Sequence, residues 1–225
     1  MRAILVGATG LIGGLLLENL LQDPIFTQIK LISRRSTGIK NKRLEEVLVD
    51  FENEEQFKNA LTPAEVLFCC IGTTQQKVKG DKLAYRKIDF DIPVKAAAWC
   101  AAQGIAKFLL VSAVGANTAS RNFYLKLKGE TEAGVMQQSF KALYIMRPAQ
   151  LLGKRKETRV LESAFQPIMR LISHLLPDCL SKYKAIDAKQ VAAAMQGAAK
   201  KTVDGVFICH YKEMRALASE TCNIH

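Results

Sequence analysis

The sequence predicts an α/β fold, a doubly wound parallel sheet with helices on both faces and a small C-terminal cap. Three observations carry this. Short apolar runs recur at residues 3–6, 29–32, 47–49, 66–71, 108–111, 143–146 and 206–209. Helical patterns fill most of the gaps between them, including 91–103, with Gly104 placed to stop it, and 122–137. Runs this short and this uniformly apolar suit strands buried on both faces, the environment of a parallel sheet between two helical layers. The third observation is the glycine spacing at the first junction.

Residues 3–6 read as the first strand. Leu11, Leu15, Leu16 and Leu20 then share one helical face. Between them Gly7, Gly10 and Gly13 form G-x-x-G-x-x-G. In such a strand-turn-helix junction the first glycine permits the tight turn and the second lets the backbone approach a pyrophosphate at the helix N-terminus. The third lets the helix pack closely on the strand. A secretory signal is not expected, because Glu18 and Asn19 interrupt the run and no small-residue cleavage site follows. No apolar stretch reaches the ~18 residues a membrane-spanning helix needs.

Ligands of open α/β sheets bind beyond the carboxyl ends of the strands. The predicted exits are rich in glycine and polar residues: Ser33-Arg34-Arg35, Asp50-Phe51, Cys70-Ile71-Gly72-Thr73-Thr74, Ser112-Ala113 and Arg147-Pro148. The second exit carries two arginines and no acid. An acid there selects NAD through the ribose 2′-hydroxyl, whereas arginine accommodates a 2′-phosphate, so NADP(H) ranks ahead of NAD(H). Asp50 has two readings, an adenine contact with Phe51 beside the ring, or the acidic N-cap of a following helix. Tyr124 and Lys128 stand four apart on one helical face, after the fifth strand, which ends in Ser112. An ammonium beside a phenol favours the phenolate, lowering a pKa that is otherwise about 10. Ser112 is then placed to hydrogen-bond a substrate carbonyl oxygen.

After residue 150 the pattern changes to loop and helix. Residues 151–205 read as a cap within a single domain spanning 1–225, and the last strand returns to the sheet. Lys154, Arg155, Lys156 and Arg159 make a basic loop there, and Phe165, Met169, Ile172 and Leu176 an apolar stripe.

The chain has 225 residues, 49% of them apolar, and a net charge of +11. The basic excess favours anionic ligands, but its spread along the chain and the absence of zinc-finger or RNA-binding signatures argue against nucleic acid. Cys69, Cys70, Cys100, Cys179, Cys209 and Cys222 form no C-x-x-C and read as reduced, pointing to the cytoplasm. With three histidines, one of them the terminal His225, neither a metal site nor a Ser-His-Asp triad is expected. A protein partner is left open, and monomer ranks ahead of dimer.

The segments "GATGLIG", "SRR", "VDF", "FCCIGTT", "VSAVGAN", "NFYLKLKGETEA" and "MRP" together resemble an atypical short-chain dehydrogenase/reductase, similar to the Tat-interacting-protein-like oxidoreductases over nearly the whole length. The resemblance implies a Rossmann-like NADPH-binding domain. Gly7, Thr9, Gly10, Leu11 and Ile12 are implied at the pyrophosphate, and Arg34 and Arg35 at the 2′-phosphate. Asp50 and Phe51 are implied at adenine, Gly72 and Thr73 along the ribose, and Arg147 and Pro148 near the nicotinamide. Ser112, Tyr124 and Lys128 are the implied catalytic residues, with Lys128 also serving the ribose. The chain departs from the better-studied reductases of the superfamily at the fourth strand, where Cys70-Ile71-Gly72 replaces their Asn-Ala-Gly. The expected function is NADPH-dependent reduction of a small carbonyl compound. The alternatives are a nucleotide sensor without turnover and an epimerase or dehydratase that retains NAD.

Overall fold

The chain runs β1 (Arg2–Val6), α1 (Leu11–Gln22), β2 (Gln28–Ser33), β3 (Leu44–Leu48), α2 (Glu54–Ala60), β4 (Val66–Cys69), α3 (Lys82–Arg86), a π-helical turn (Lys87–Asp91), α4 (Ile92–Ala102), β5 (Lys107–Val111), α5 (Phe123–Met136), β6 (Ala142–Met146), β7 (Leu151–Leu152), a 3-10 turn (Asp178–Tyr183), β8 (Ile186–Asp187), α6 (Ala188–Lys200), β9 (Gly205–Cys209) and α7 (Tyr211–Cys222). This computed structural model describes residues 1–152 and 178–222. The basic loop at 154–159 and the apolar stripe at 165–176 lie outside the described residues.

Seven strands form one sheet in the order β3-β2-β1-β4-β5-β6-β9, every neighbouring pair parallel. Side chains alternate across it as strand geometry requires. Ala3 and Leu5 of β1 and Val66 and Phe68 of β4 face a core closed by Leu16, Leu17 and Leu20 of α1 and by α6. Ile4, Val6, Leu67 and Cys69 face the opposite core, closed by Phe57 of α2 and by Ala96, Ala97 and Cys100 of α4. Full burial of one such leucine contributes about 1.5–3 kcal/mol.

Three departures from the sequence reading have physical causes. β3 starts three residues earlier than the apolar run because Glu45 and Glu46 lie within it, and a sheet-edge strand tolerates acids on its open side. β4 stops at Cys69 because the backbone of Cys70 and Ile71 leaves the ladder to cross Gly7. Residues 188–200 are not cap. They form α6, an alanine-rich helix whose buried Val191, Ala194, Met195 and Ala198 join the same core as α1. There Gln196 Nε2 donates to Asp23 Oδ2 at 2.7 Å, across 173 residues of sequence, and Lys200 pairs with the same carboxylate.

The helix expected at 91–103 begins as a π-turn, and Pro93 accounts for a second feature of it. Proline has no N–H, so the carbonyl of Asp89, four residues earlier, lacks its helical donor. The Thr131 hydroxyl on α5 stands in its place, 2.9 Å from that carbonyl and 2.8 Å from the Leu127 carbonyl, its single proton shared between the two.

Candidate cofactor and active site

The strand order reverses between β1 and β4, which makes their carboxyl ends a topological switch point, the place where open α/β sheets bind ligands. Gly7 sits at φ +97°, and a Cβ there would lie 2.6 Å from the Cys70 carbonyl carbon. A Cβ on Gly13 would collide with the Gly7 carbonyl oxygen. The fold alone demands both glycines. Gly10 is different: its φ is −83°, and its Cβ would meet nothing nearer than the Gly7 oxygen at 3.3 Å. It caps α1 without a side-chain hydrogen bond, so the first helical N–H groups look into the crevice from bare backbone. Ile12 is buried in the core and offers the crevice only its backbone. The turn therefore fits a pyrophosphate. Gly10→Val is expected to abolish binding of a dinucleotide while leaving the melting temperature within a few degrees, checked by nucleotide titration beside a thermal melt. Normal binding by the variant would reduce the turn to a structural one.

At the second exit Arg34 and Arg35 are exposed, and the Ser33 hydroxyl donates to the Arg35 carbonyl at 2.7 Å. The expectation that no acid stands here needs correcting. Glu46 reaches across from β3 and accepts the Thr37 N–H at 2.7 Å, the Thr37 hydroxyl at 2.9 Å, and the Ser36 hydroxyl. Burial works to raise this carboxyl, and the hydrogen bonds outweigh it, holding the group below the usual carboxylate range. At the third exit Asp50 is exposed, its carboxylate accepting the Glu52 N–H at 3.0 Å and its carbonyl the Asn53 N–H at 3.0 Å, while Asn53 caps α2 through the Gln56 N–H. The N-cap alternative for Asp50 therefore fails. Phe51 stands edge-on to Phe57, ring centroids 4.8 Å apart.

α5 starts at Phe123, capped by the Asn122 side chain. Its four-residue spacing puts Tyr124, Lys128 and Glu132 on one face, running from the surface into the interior. Tyr124 is 38% exposed, whereas Lys128 and Glu132 are buried. The Lys128 ammonium lies 5.9 Å from the Tyr124 ring centroid, and the Tyr85 ring stands edge-on to the same phenol at 6.4 Å. Lys128 also has a partner that sequence reasoning missed. Its Nζ is 2.9 Å from Asp89 Oδ1, while Asp89 Oδ2 accepts the Thr73 N–H at 2.8 Å. Burial is the largest influence and lowers the pKa of this ammonium, but the Asp89 carboxylate together with the Tyr124 phenol and Cys69 outweighs it and holds Lys128 above the ordinary lysine value. Gly72, exposed at the fourth exit, lies directly above this pair. Tyr85 donates its hydroxyl to the Thr73 carbonyl at 3.2 Å, completing a frame around residues 72–73.

Ser112 is buried and donates its hydroxyl to Glu132, whose carboxylate is also gripped by Arg147 through Nε at 3.0 Å and through Nη2. A serine has one proton to give. In this arrangement a substrate carbonyl receives none from Ser112, whose oxygen remains only as an acceptor. Arg147 likewise turns one edge of its guanidinium, Nε and Nη2, inward to Glu132, and its remaining N–H groups are not accounted for by that carboxylate. Pro148 links the fifth and sixth exits, its carbonyl accepting the Val114 N–H at 2.9 Å. Cys69 is walled off beside Lys128, and burial pushes its thiol up to about 12, which excludes a thiolate nucleophile near neutrality.

The residues missed were Glu46, Asp89, Glu132 and Tyr85. For Glu132 a signal existed, because the spacing that joins Tyr124 to Lys128 continues to it. Asp89 stands four residues before Pro93, where a helix is expected to distort.

A family model described as NAD(P)H-binding matches residues 7–169. The chain belongs to this NAD(P)H-binding, Rossmann-type family. It is 34% identical to protein HTATIP2 of Rattus norvegicus over 194 residues, 85% of this chain and 78% of that protein. It is 31% identical over 210 residues to the mitochondrial protein fmp52 of Aspergillus fumigatus, 89% and 88% of the two chains. Among solved structures, the UDP-glucose 4-epimerase of Thermus thermophilus, in complex with NAD, superposes with a TM-score of 0.69 at 16% identity, covering 99% of this chain and 82% of that one. The last likeness shows the fold alone. A nicotinamide dinucleotide is thus the cofactor class, on an oxidoreductase-like fold. The expected cytoplasmic location is overturned: the relatives from Aspergillus fumigatus and Saccharomyces cerevisiae are named as mitochondrial. The thiols argue against an oxidising compartment but do not choose among reducing ones. Among the described residues no helix is long and apolar enough to cross a membrane.

Proposed function

We propose that this chain is an NADPH-dependent reductase of a small carbonyl compound, with Tyr124 as proton donor. The carrying observation is the Tyr124–Lys128–Glu132 face of α5, which presents one half-exposed phenol above a buried ammonium. The bound cofactor supplies a hydride. The chain's own residues do the rest. The Gly7–Gly13 turn and the start of α1 hold the pyrophosphate, with Thr9 and the backbone of Leu11 and Ile12. Arg34 and Arg35 hold the 2′-phosphate, Asp50 and Phe51 border adenine, and Gly72 and Thr73 line the ribose beside Lys128. Arg147 and Pro148 shape the nicotinamide end, the former by fixing Glu132. Tyr124 protonates the developing alkoxide, and Lys128 favours the phenolate left behind. Ser112 accepts a hydrogen bond from a hydroxyl, the product alcohol's included.

One observation favours a second reading, a nucleotide sensor without turnover: both Lys128 and Ser112 already have internal carboxylate partners. Oxidation of NADPH by the purified protein against a panel of aldehydes, ketones and quinones tests between them. The reductase reading expects turnover of at least one member. Tight NADPH binding with no oxidation across a broad panel favours the sensor. Cofactor choice has its own expected outcome. NADPH binds more tightly than NADH by on the order of tenfold or more, from a charge-assisted contact of ~1.5–3 kcal/mol. Arg34→Ala with Arg35→Ala erases the difference, and equal affinities in the unmodified protein would refute NADP preference.

A further inference from the structure

Glu46 presents a paradox at the second exit. A carboxylate close to a 2′-phosphate opposes it by like charge, yet this one lies beside the loop that carries the two arginines. Its hydrogen bonds resolve the paradox. Glu46 belongs to β3, paired in register with Leu31 of β2, and its oxygens take three donors from the next turn of the chain: the Ser36 hydroxyl, the Thr37 N–H and the Thr37 hydroxyl. The other side of the arginine pair is tied by the Ser33 hydroxyl on the Arg35 carbonyl. Arg34 and Arg35 are therefore carried on a short arch with both feet fixed to the sheet, one at the end of β2 and one on β3. The arch crosses to the outermost strand of the sheet. Arginine side chains lose considerable freedom on ordering, and a backbone already held in place removes part of the cost of recruiting two of them to one anion. Meanwhile the donors satisfy the carboxylate, which blunts its repulsion.

From this geometry we infer that Glu46 is a positioning residue for cofactor discrimination: it fixes the arch that presents Arg34 and Arg35 to the 2′-phosphate and does not itself touch the cofactor. The inference rests on the NADPH reading above. It runs against the opposite role, in which Glu46 is the acid that takes the ribose 2′-hydroxyl of NAD, because three donors from within the loop already take most of the carboxylate's acceptor positions.

Titration of NADPH and NADH into the unmodified protein, Glu46→Gln and Glu46→Ala, with a thermal melt of each, tests it. In Glu46→Ala the NADPH affinity falls about tenfold, the loss expected if the competent arch drops to about a tenth of the population. NADH affinity stays within about twofold, because NADH makes no use of the arginines. Glu46→Gln, which keeps an acceptor for the Thr37 N–H, falls in between. Parallel titration with adenosine 2′,5′-bisphosphate and 5′-AMP isolates the phosphate contribution, and only the bisphosphate weakens. Equal loss of both dinucleotides would make Glu46 a general structural residue and overturn the inference. An unchanged NADPH-to-NADH ratio, or tighter NADPH binding once the acid is gone, overturns it as well. If the unmodified protein itself shows no preference for NADPH, the underlying cofactor reading fails, and that result is visible before any variant is made.

Discussion

Tyr124→Phe is expected to lower carbonyl turnover by about 10²–10⁴, the contribution of a positioned acid, while NADPH affinity stays within a few-fold. The substitution removes one oxygen from a side chain 38% exposed and leaves the ring that stands against Tyr85. Little folding stability goes with it, so loss of activity without loss of the fold is readable in one purified sample. Steady-state kinetics beside a cofactor titration makes the measurement. Turnover that survives the change would remove Tyr124 from the proton path. Lys128→Ala gives a contrasting pattern, because that ammonium lies both below the phenol and beside Gly72. Cofactor affinity and turnover fall together.

Asp89→Ala has the largest expected effect on stability. It leaves the Lys128 ammonium buried with no counter-charge, a change that costs about 3–5 kcal/mol when one member of a buried pair is removed. For a domain of this size that corresponds to a fall of about 6–20 °C in melting temperature. Its pH dependence separates charge from mere cavity. With Asp89 present, the Lys128 pKa is raised, so the stabilisation is complete below the unfolded lysine value of about 10.4 and fades only above it. Without Asp89, burial depresses the folded pKa. The folded variant then binds fewer protons than the unfolded chain and loses stability as pH falls from about 10.4 toward the depressed value. The deficit against the unmodified protein should therefore shrink toward pH 10. Denaturant melts across that range measure it, and a deficit independent of pH would reduce Asp89 to a packing residue. Asp89→Asn, which keeps an acceptor for the Thr73 N–H, loses less.

The sheet was legible because strands buried on both faces have to be apolar almost throughout, as β1, β4, β5 and β6 are. β3 was read too short because an edge strand escapes that requirement, and its Glu45 and Glu46 look like loop. The Tyr124–Lys128 face was legible because helical spacing is local. The partners of that face were not. Asp89 meets Lys128 from the turn before another helix, and Glu132 of α5 meets Arg147 just past β6, 15 residues on, so neither pairing falls within one element's local spacing. The roles assigned to Ser112 and Arg147 shifted for the same reason: each side chain stands at the expected exit, but its hydrogen bonds go inward to a carboxylate that the local sequence did not connect to it.

The long reach between α1 and α6 bears on how the protein is made. α1 leaves the ribosome long before α6, and the helix that packs on the far side of its Leu16–Leu17–Leu20 ridge is complete only at Lys200. The sheet covers one side of that ridge early, but at about 5–20 residues per second the side that α6 closes stays bare for roughly 10–40 s of synthesis. During that interval the nascent chain presents a greasy helix beside an unfinished sheet, the kind of surface that chaperones hold and proteases sample. A chain that terminates early, before α6, never covers it. Such fragments are expected to be cleared or to aggregate, however complete their nucleotide-binding half looks on paper.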